Sequence, residues 1–300
     1  MSTRATRDLA LAALAPMSWG TTYVVTTTLL PPDRPLLAAT LRALPAGLVL
    51  LAVTRRLPSG SWWWKSAVLG MLNFGAFFPL LFFGAYRLPG GVAATVGSVQ
   101  PLVVALLSLL VLHLRPARTV LLAALAGTGG VALLTLTAEA RLDPLGIAAM
   151  LTATSLMGVA IVLAKKWGPP ESALVMTGWQ LTVGGLVLAP VTLVAEGLPA
   201  TFTAGNALGF AYLGIVGTAV AYALWFRGID RLAPTSVSLL GLTNPLVATL
   251  AGLLILGQTL TGWQVAGFTI ALGALVAGQA LGRRPRPVPV TVERELVRVN

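Results

Sequence analysis

Ten apolar runs alternate along the chain with short joints rich in charge, proline and glycine, near residues 8–30, 35–54, 66–86, 90–112, 119–138, 144–164, 172–195, 206–226, 233–256 and 263–281. Each is about 20 residues long, and at about 1.5 Å rise per residue a helix of that length spans roughly 30 Å, the hydrocarbon thickness of a bilayer. In lipid the backbone has no water to bond, and a helix satisfies its own N–H and C=O groups. The pattern predicts ten transmembrane helices in an all-α integral membrane protein. The first run is full length and no small-residue cleavage site follows it, so a cleavable signal peptide is not expected.

Composition sharpens this reading. Of 300 residues, 56% are hydrophobic and 10% charged, which in water would leave large apolar patches exposed. Cysteine is absent, which excludes disulfides and thiolate metal sites. A formal net charge of +11 raises the question of nucleic acid, but the charges lie in the joints instead of forming one basic face. Arg4, Arg7, Arg55, Arg56, Lys65, Arg115, Arg118, Lys165, Lys166, Arg227, Arg231 and the arginines of residues 283–298 fall on one side of the ten-span topology. Only Arg34, Arg87 and Arg141 fall on the other, and Arg42 lies within the second run. The positive-inside rule then places both termini in the cytoplasm of a plasma (inner) membrane. Trp62, Trp63 and Trp64 beside Lys65 read as an interfacial aromatic anchor. The expected partners are lipid and a small-molecule substrate, with no nucleic acid, no metal and no cofactor, in a monomer or homodimer.

Displacing the chain against itself by 144 residues aligns 67–134 with 211–278 without a gap. Gly70/Gly214, Gly84/Gly228, Arg87/Arg231, Gly97/Gly241 and Pro101-Leu102-Val103/Pro245-Leu246-Val247 fall in register. A shift of 138 aligns Gly20 with Gly158, Pro31-Pro32 with Pro169-Pro170, and Gly47-Leu48-Val49-Leu50 with Gly185-Leu186-Val187-Leu188. Chance apolar similarity does not put Gly, Pro and Arg in register. The reading is two five-helix units, 1–143 and 144–282, followed by a basic cytoplasmic tail, 283–300. Five is odd, so the second unit enters the membrane inverted, an architecture used by alternating-access transporters.

With Trp19-Gly20, Leu41-Arg42, the passage from Phe83-Gly84-Ala85 to Val92-Ala93-Ala94, and Pro101-Leu102 repeated at Pro245-Leu246, the whole chain resembles the drug/metabolite transporter superfamily, in particular its EamA-type exporters of ten helices. The resemblance implies secondary export of small metabolites such as amino acids, with other metabolites or drugs as the alternative. The family often carries Gly-Glu after the fourth and ninth helices, where this chain has His113-Leu114 and Gly257-Gln258. Whatever that Glu does elsewhere, it does not do here.

Polar groups deep in a span must face another helix or a wet cavity, because an unpartnered one costs several kcal/mol in hydrocarbon. In the fourth run Gly91, Thr95, Ser98 and Leu102 share a face, with Gln100 before Pro101; the ninth carries Ser236, Ser238, Gly241, Thr243 and Asn244 before Pro245. Each proline is expected to kink its helix. Close packing and cavity lining are both open readings of these residues. The third run adds Asn73, Phe77, Phe78 and Phe82, the eighth Thr218, Tyr222, Trp225 and Phe226, and the first Trp19, Tyr23 and Thr26 on one face. The candidate substrate-binding residues are Trp19, Tyr23, Asn73, Phe78, Thr95, Gln100, Thr218, Tyr222 and Asn244. For Arg42 three readings stand: snorkelling to the outer interface, a tie to helix carbonyls, or binding a substrate carboxylate. His113 reads as a solvated loop residue.

An intramembrane enzyme would need paired carboxylates, a His cluster or a Ser with its base at membrane depth, and none is present. A channel would need a symmetric pore or rings of like charge. Phosphorylated substrates would need a basic cluster, so a neutral, zwitterionic or amphipathic solute is favoured. No midplane Asp, Glu, His or Lys offers a proton relay. The expected mechanism is therefore facilitated diffusion or exchange.

Overall fold

The computed structural model describes residues 3–32, 34–88, 90–136, 143–256 and 259–281; the Glu139–Arg141 segment, Gly257-Gln258 and the basic tail lie outside them. Helices carry almost all of the described chain, and no strand occurs among these residues. Among the described residues, nine stretches are long and apolar enough to cross a membrane. The ninth of the ten expected spans is built from two shorter helices, Pro234–Leu240 and Thr243–Leu256.

Several spans are interrupted, and the interruptions recur 144 residues apart. The third span runs as Trp62–Gly70, a π turn Met71–Gly75, and Phe77–Arg87; the eighth runs as Ala204–Gly214, a π turn Ile215–Val220, and Ala221–Arg231. The fourth, Gly90–Gly97 then Gln100–Leu112, breaks where the ninth does. Here the structure departs from the expected kinks. Each proline sits in the first turn of a restarted helix, where its missing N–H would have had no partner in any case. Ahead of it the backbone tightens into i→i−3 bonds, from Ser98 N to Thr95 O and from Gly241 N to Ser238 O, as at helix ends.

The third span starts at Trp62, four residues earlier than the apolar run, and the aromatic anchor divides. Trp63 and Trp64 are exposed, but Trp62 is buried against Val175, Met176 and Trp179. Lys65 Nζ lies 5.1 Å from the Trp62 ring.

The most extensive contacts are between the second span, Pro35–Thr54, and the seventh, Ala173–Ala195, and between the fifth, Arg118–Thr135, and the tenth, Gly262–Leu281. Glycine allows both approaches. A Cβ at Gly185 would lie 2.6 Å from Leu44 Cα, one at Gly47 2.8 Å from Leu181 C, and one at Gly130 2.6 Å from Ala271 N. In lipid, where apolar side chains gain little by leaving the solvent, such close packing is what holds helices together. The first span, Thr3–Gly20 continued by Thr22–Leu29, packs on the eighth and ninth, and the sixth, Pro144–Trp167, packs on the third and fourth.

Candidate functional site

The two proline restarts face one another. Gln100 and Asn244, the residues before Pro101 and Pro245, line one cavity of about 110 Å³ together with Ser98, Ser238, Thr154, Trp19, Phe77, Met150 and Met157. An apolar cavity of about 150 Å³ admits a benzene-sized molecule, so this space is on the scale of a small side chain. Among the described residues, no charged one lines it. Two carboxamides and three hydroxyls among rings and thioethers offer directional hydrogen bonds to an otherwise apolar solute.

Behind Trp19 the interior is aromatic. Trp19 lies 4.9 Å from Tyr222 and 5.2 Å from Trp225, and Tyr222 lies 4.6 Å from Phe74 and 5.8 Å from Phe226. These rings form a continuous partition below the cavity. Tyr222, Phe74 and Trp225 are buried by the surrounding rings, while Trp19 also borders the cavity.

The π turns explain the polar groups near that partition. A π turn shifts the backbone ladder and frees a carbonyl, and at Ile215–Val220 the freed group is Gly217 O. It accepts from Trp19 Nε1 at 3.0 Å and from Arg42 Nη2 at 2.9 Å. Arg42 Nε donates to Thr218 Oγ1 at 2.8 Å, and the guanidinium lies 5.1 Å from the Phe78 ring. With 3% of its surface exposed, Arg42 does not reach the outer interface, so the snorkelling reading fails; the carbonyl at a π turn out-competes it. At the other π turn, Asn73 Nδ2 donates to Gln180 Oε1 at 2.8 Å. Gln180 and Arg42 correspond by the 138-residue shift, and Asn73 and Gly217 by the 144-residue shift.

Trp19, Gln100 and Asn244 are thus the candidate residues that meet in the cavity. Phe78 and Tyr222 belong to the aromatic partition, and Asn73 and Thr218 to the π turns. Thr95 shares a hydrogen bond with Thr135 at 2.8 Å. The side chain of Tyr23 lies outside the described residues. Met150, Met157 and Thr154 were not singled out from the sequence. Met157 was within reach, because the 138-residue shift that pairs Gly20 with Gly158 pairs Trp19 with it.

Ion pairs tie span ends together. At the end bearing the N-terminus, Asp8 accepts from Arg227 at 2.6 Å and from Arg231 at 3.5 Å. At the opposite end Arg87 donates to Asp143 at 3.2 Å, and Asp143 also accepts from Leu145 N at 2.9 Å, capping the sixth span. The Arg87 hydrogen bond holds the Asp143 carboxyl below the usual carboxylate range despite the opposing desolvation. His113 ends its helix in the left-handed region, φ 54°, and is exposed.

Comparison with known proteins adds the family. The sequence model of the EamA-like transporter family matches residues 7–136 and again 144–277. Protein PecM of Dickeya dadantii (strain 3937) is 48% identical over 284 residues, covering 93% of this chain and 95% of that protein. A probable amino-acid metabolite efflux pump of Salmonella typhimurium is 27% identical over 290 residues, covering 90% and 93%. A solved structure at 20% identity superposes with a TM-score of 0.79 over 93% of this chain and 98% of that one, which supports the fold.

Proposed function

The chain belongs to the EamA-like transporter family of the drug/metabolite transporter superfamily, and on that premise we propose that it exports small amphipathic metabolites, neutral and aromatic amino acids first among them. The observation that carries this is the uncharged cavity in which Gln100 and Asn244 face each other from two proline restarts. Planar carboxamides suit the donor and acceptor groups of a small metabolite, and Trp19, Phe77, Met150 and Met157 suit its apolar part. The similarity to a probable amino-acid metabolite efflux pump supports the direction and the solute class. The same thioether and aromatic lining also favours drug-like solutes as a second reading.

In this reading the units 1–143 and 144–282 are inverted relative to each other and exchange conformations around the cavity, with the tail and both termini in the cytoplasm. The recurrence of π turns and helix restarts 144 residues apart supports two equivalent units. Among the described residues, none that lines the cavity exchanges a proton near neutral pH, which supports facilitated diffusion or exchange over proton coupling. The test is purified protein in liposomes loaded with a panel of radiolabelled neutral, aromatic and charged amino acids, at zero membrane potential, with and without a pH difference. Saturable release of neutral or aromatic amino acids, unaffected by a protonophore, is expected. Accumulation driven by the pH difference alone would overturn the mechanism, and release of none of the panel would overturn the solute class.

A further inference from the structure

A zwitterion meets a difficulty in the central cavity: its ammonium and carboxylate would shed water and find only neutral amides and hydroxyls. Groups of both signs line a second cavity, of about 360 Å³, between the seventh and eighth spans at the end bearing the N-terminus. Resting on the function proposed above, we propose that this second cavity is a loading site that binds the α-amino and α-carboxylate groups of a neutral amino acid before it passes to the central cavity.

Four observations converge on it. Glu171 and Asp230 supply acidic groups, and Arg227 and Arg231 basic ones, around a single cavity. Arg227 spends Nη2 on Asp8, but its Nε is buried without a partner among the described residues, which leaves a charged donor for a carboxylate. The N-terminus of the seventh helix opens on the same cavity and adds its positive dipole end. On the inner wall lies Gln180, 2% exposed, whose Oε1 is held by Asn73 Nδ2 and whose amide nitrogen remains for the cavity.

The position suits a step on a path. Phe226 lines this second cavity and lies 5.8 Å from Tyr222, which lies 4.9 Å from Trp19 of the central cavity. Along that line Phe226, Tyr222 and Trp19 form a chain of neighbouring rings from one space to the other. A charged vestibule beside an uncharged cavity divides the work: the first recognises the amino-acid backbone, and the second accommodates the side chain.

Because the chain has no native cysteine, single reporters read each cavity separately. Leu224→Cys, with Ala223→Cys as a second reporter, monitors the proposed loading site; Thr154→Cys monitors the central cavity. The rate of modification by a small thiol reagent is measured on full-length purified protein with L-phenylalanine, 3-phenylpropionate or 2-phenylethylamine present. At the second cavity, L-phenylalanine is expected to protect at a concentration about tenfold below either singly charged analogue, the ratio given by one charge-assisted hydrogen bond. Combining Glu171→Gln with Asp230→Asn should erase the preference over 3-phenylpropionate, which lacks the ammonium, and leave that over 2-phenylethylamine, whose missing carboxylate Arg227 and Arg231 still serve. Equal protection by all three compounds, or none at either second-cavity reporter, overturns the proposal. If L-phenylalanine still protects Thr154→Cys in that case, the exporter reading stands without it; if it protects neither cavity and is not released from liposomes, both fall.

Discussion

Gly97 and Gly20 separate cavity lining from helix packing in one experiment. A Cβ at Gly97, the last residue of its helix and a lining residue of the central cavity, would meet no atom within 4 Å. A Cβ at Gly20 would lie 2.7 Å from Asn244 O and 2.9 Å from Val247 Cβ. Since non-bonded carbons are at their optimum near 3.5 Å or beyond, the first and ninth spans would have to part by roughly 0.8 Å to admit it. Overpacking of that kind costs about 1–3 kcal/mol, and at about 2–4 °C per kcal/mol for a chain of this size the Tm should fall by several degrees. Gly97→Ala, by contrast, should leave Tm unchanged or raise it slightly, because alanine in a helix avoids about 1 kcal/mol of glycine's backbone entropy. Gly97→Leu should keep that Tm and lose transport, because its side chain enters the solute's space. The assays are intrinsic-fluorescence melting in detergent and release from proteoliposomes. Wild-type transport by Gly97→Leu, or a drop in Tm for Gly97→Ala equal to that for Gly20→Ala, would refute the placement of the cavity.

Arg42→Lys keeps the charge but not the fork, so the bonds to Gly217 O and Thr218 Oγ1 cannot both survive; loss of one charge-assisted bond is worth about 1.5–3 kcal/mol, and melting should report a lower Tm together with slower transport. Asp143 has a folded-state pKa depressed by Arg87, so its stabilisation is fully present above its unfolded pKa of about 3.9 and fades as pH falls through the lower folded value. Asp143→Asn, which can still cap the sixth span, should therefore lower Tm at pH 7, and the difference should shrink as the pH is taken below about 3.9; a difference that stays constant or grows on acidification would contradict the ion pair's role. For topology, single cysteines replacing the exposed Leu114 and Leu198 should behave oppositely in intact cells. An impermeant thiol reagent should label the second and spare the first, and the reverse would invert the orientation proposed here.

Length, hydropathy and self-similarity made most of the architecture legible. Ten apolar runs of bilayer length foretold helices, and the 144-residue offset foretold that Gln100 with Pro101 and Asn244 with Pro245 would play matching parts. At Pro101 and Pro245 the missing N–H falls in the first turn of a restarted helix, where it would have had no partner, whereas Pro16, Pro45 and Pro190 lie inside continuous helices. The candidate site was legible in fewer places. Trp19, Gln100 and Asn244 share the cavity, but Tyr222 and Phe78, equally aromatic and equally deep, close against other rings.

The physical reason lies in the solvent. In water a helix advertises its buried face through the periodicity of its apolar residues, whereas in lipid every face is apolar and the pattern no longer says which one meets protein, membrane or cavity. The sequence by itself determined that the chain spans a membrane, that its fourth and ninth spans depart from a straight helix at Pro101 and Pro245, and which positions match at the 144-residue offset; the π turns at Met71–Gly75 and Ile215–Val220 left no mark in it. Only the tertiary structure decided that a π turn would free Gly217 O for Arg42 and Trp19, that Asn73 would turn to Gln180, and that Met150, Met157 and Thr154 would complete the cavity. Those choices depend on which backbone groups lose their partners and which side chains come within about 3 Å of them, and both depend on how the ten spans pack.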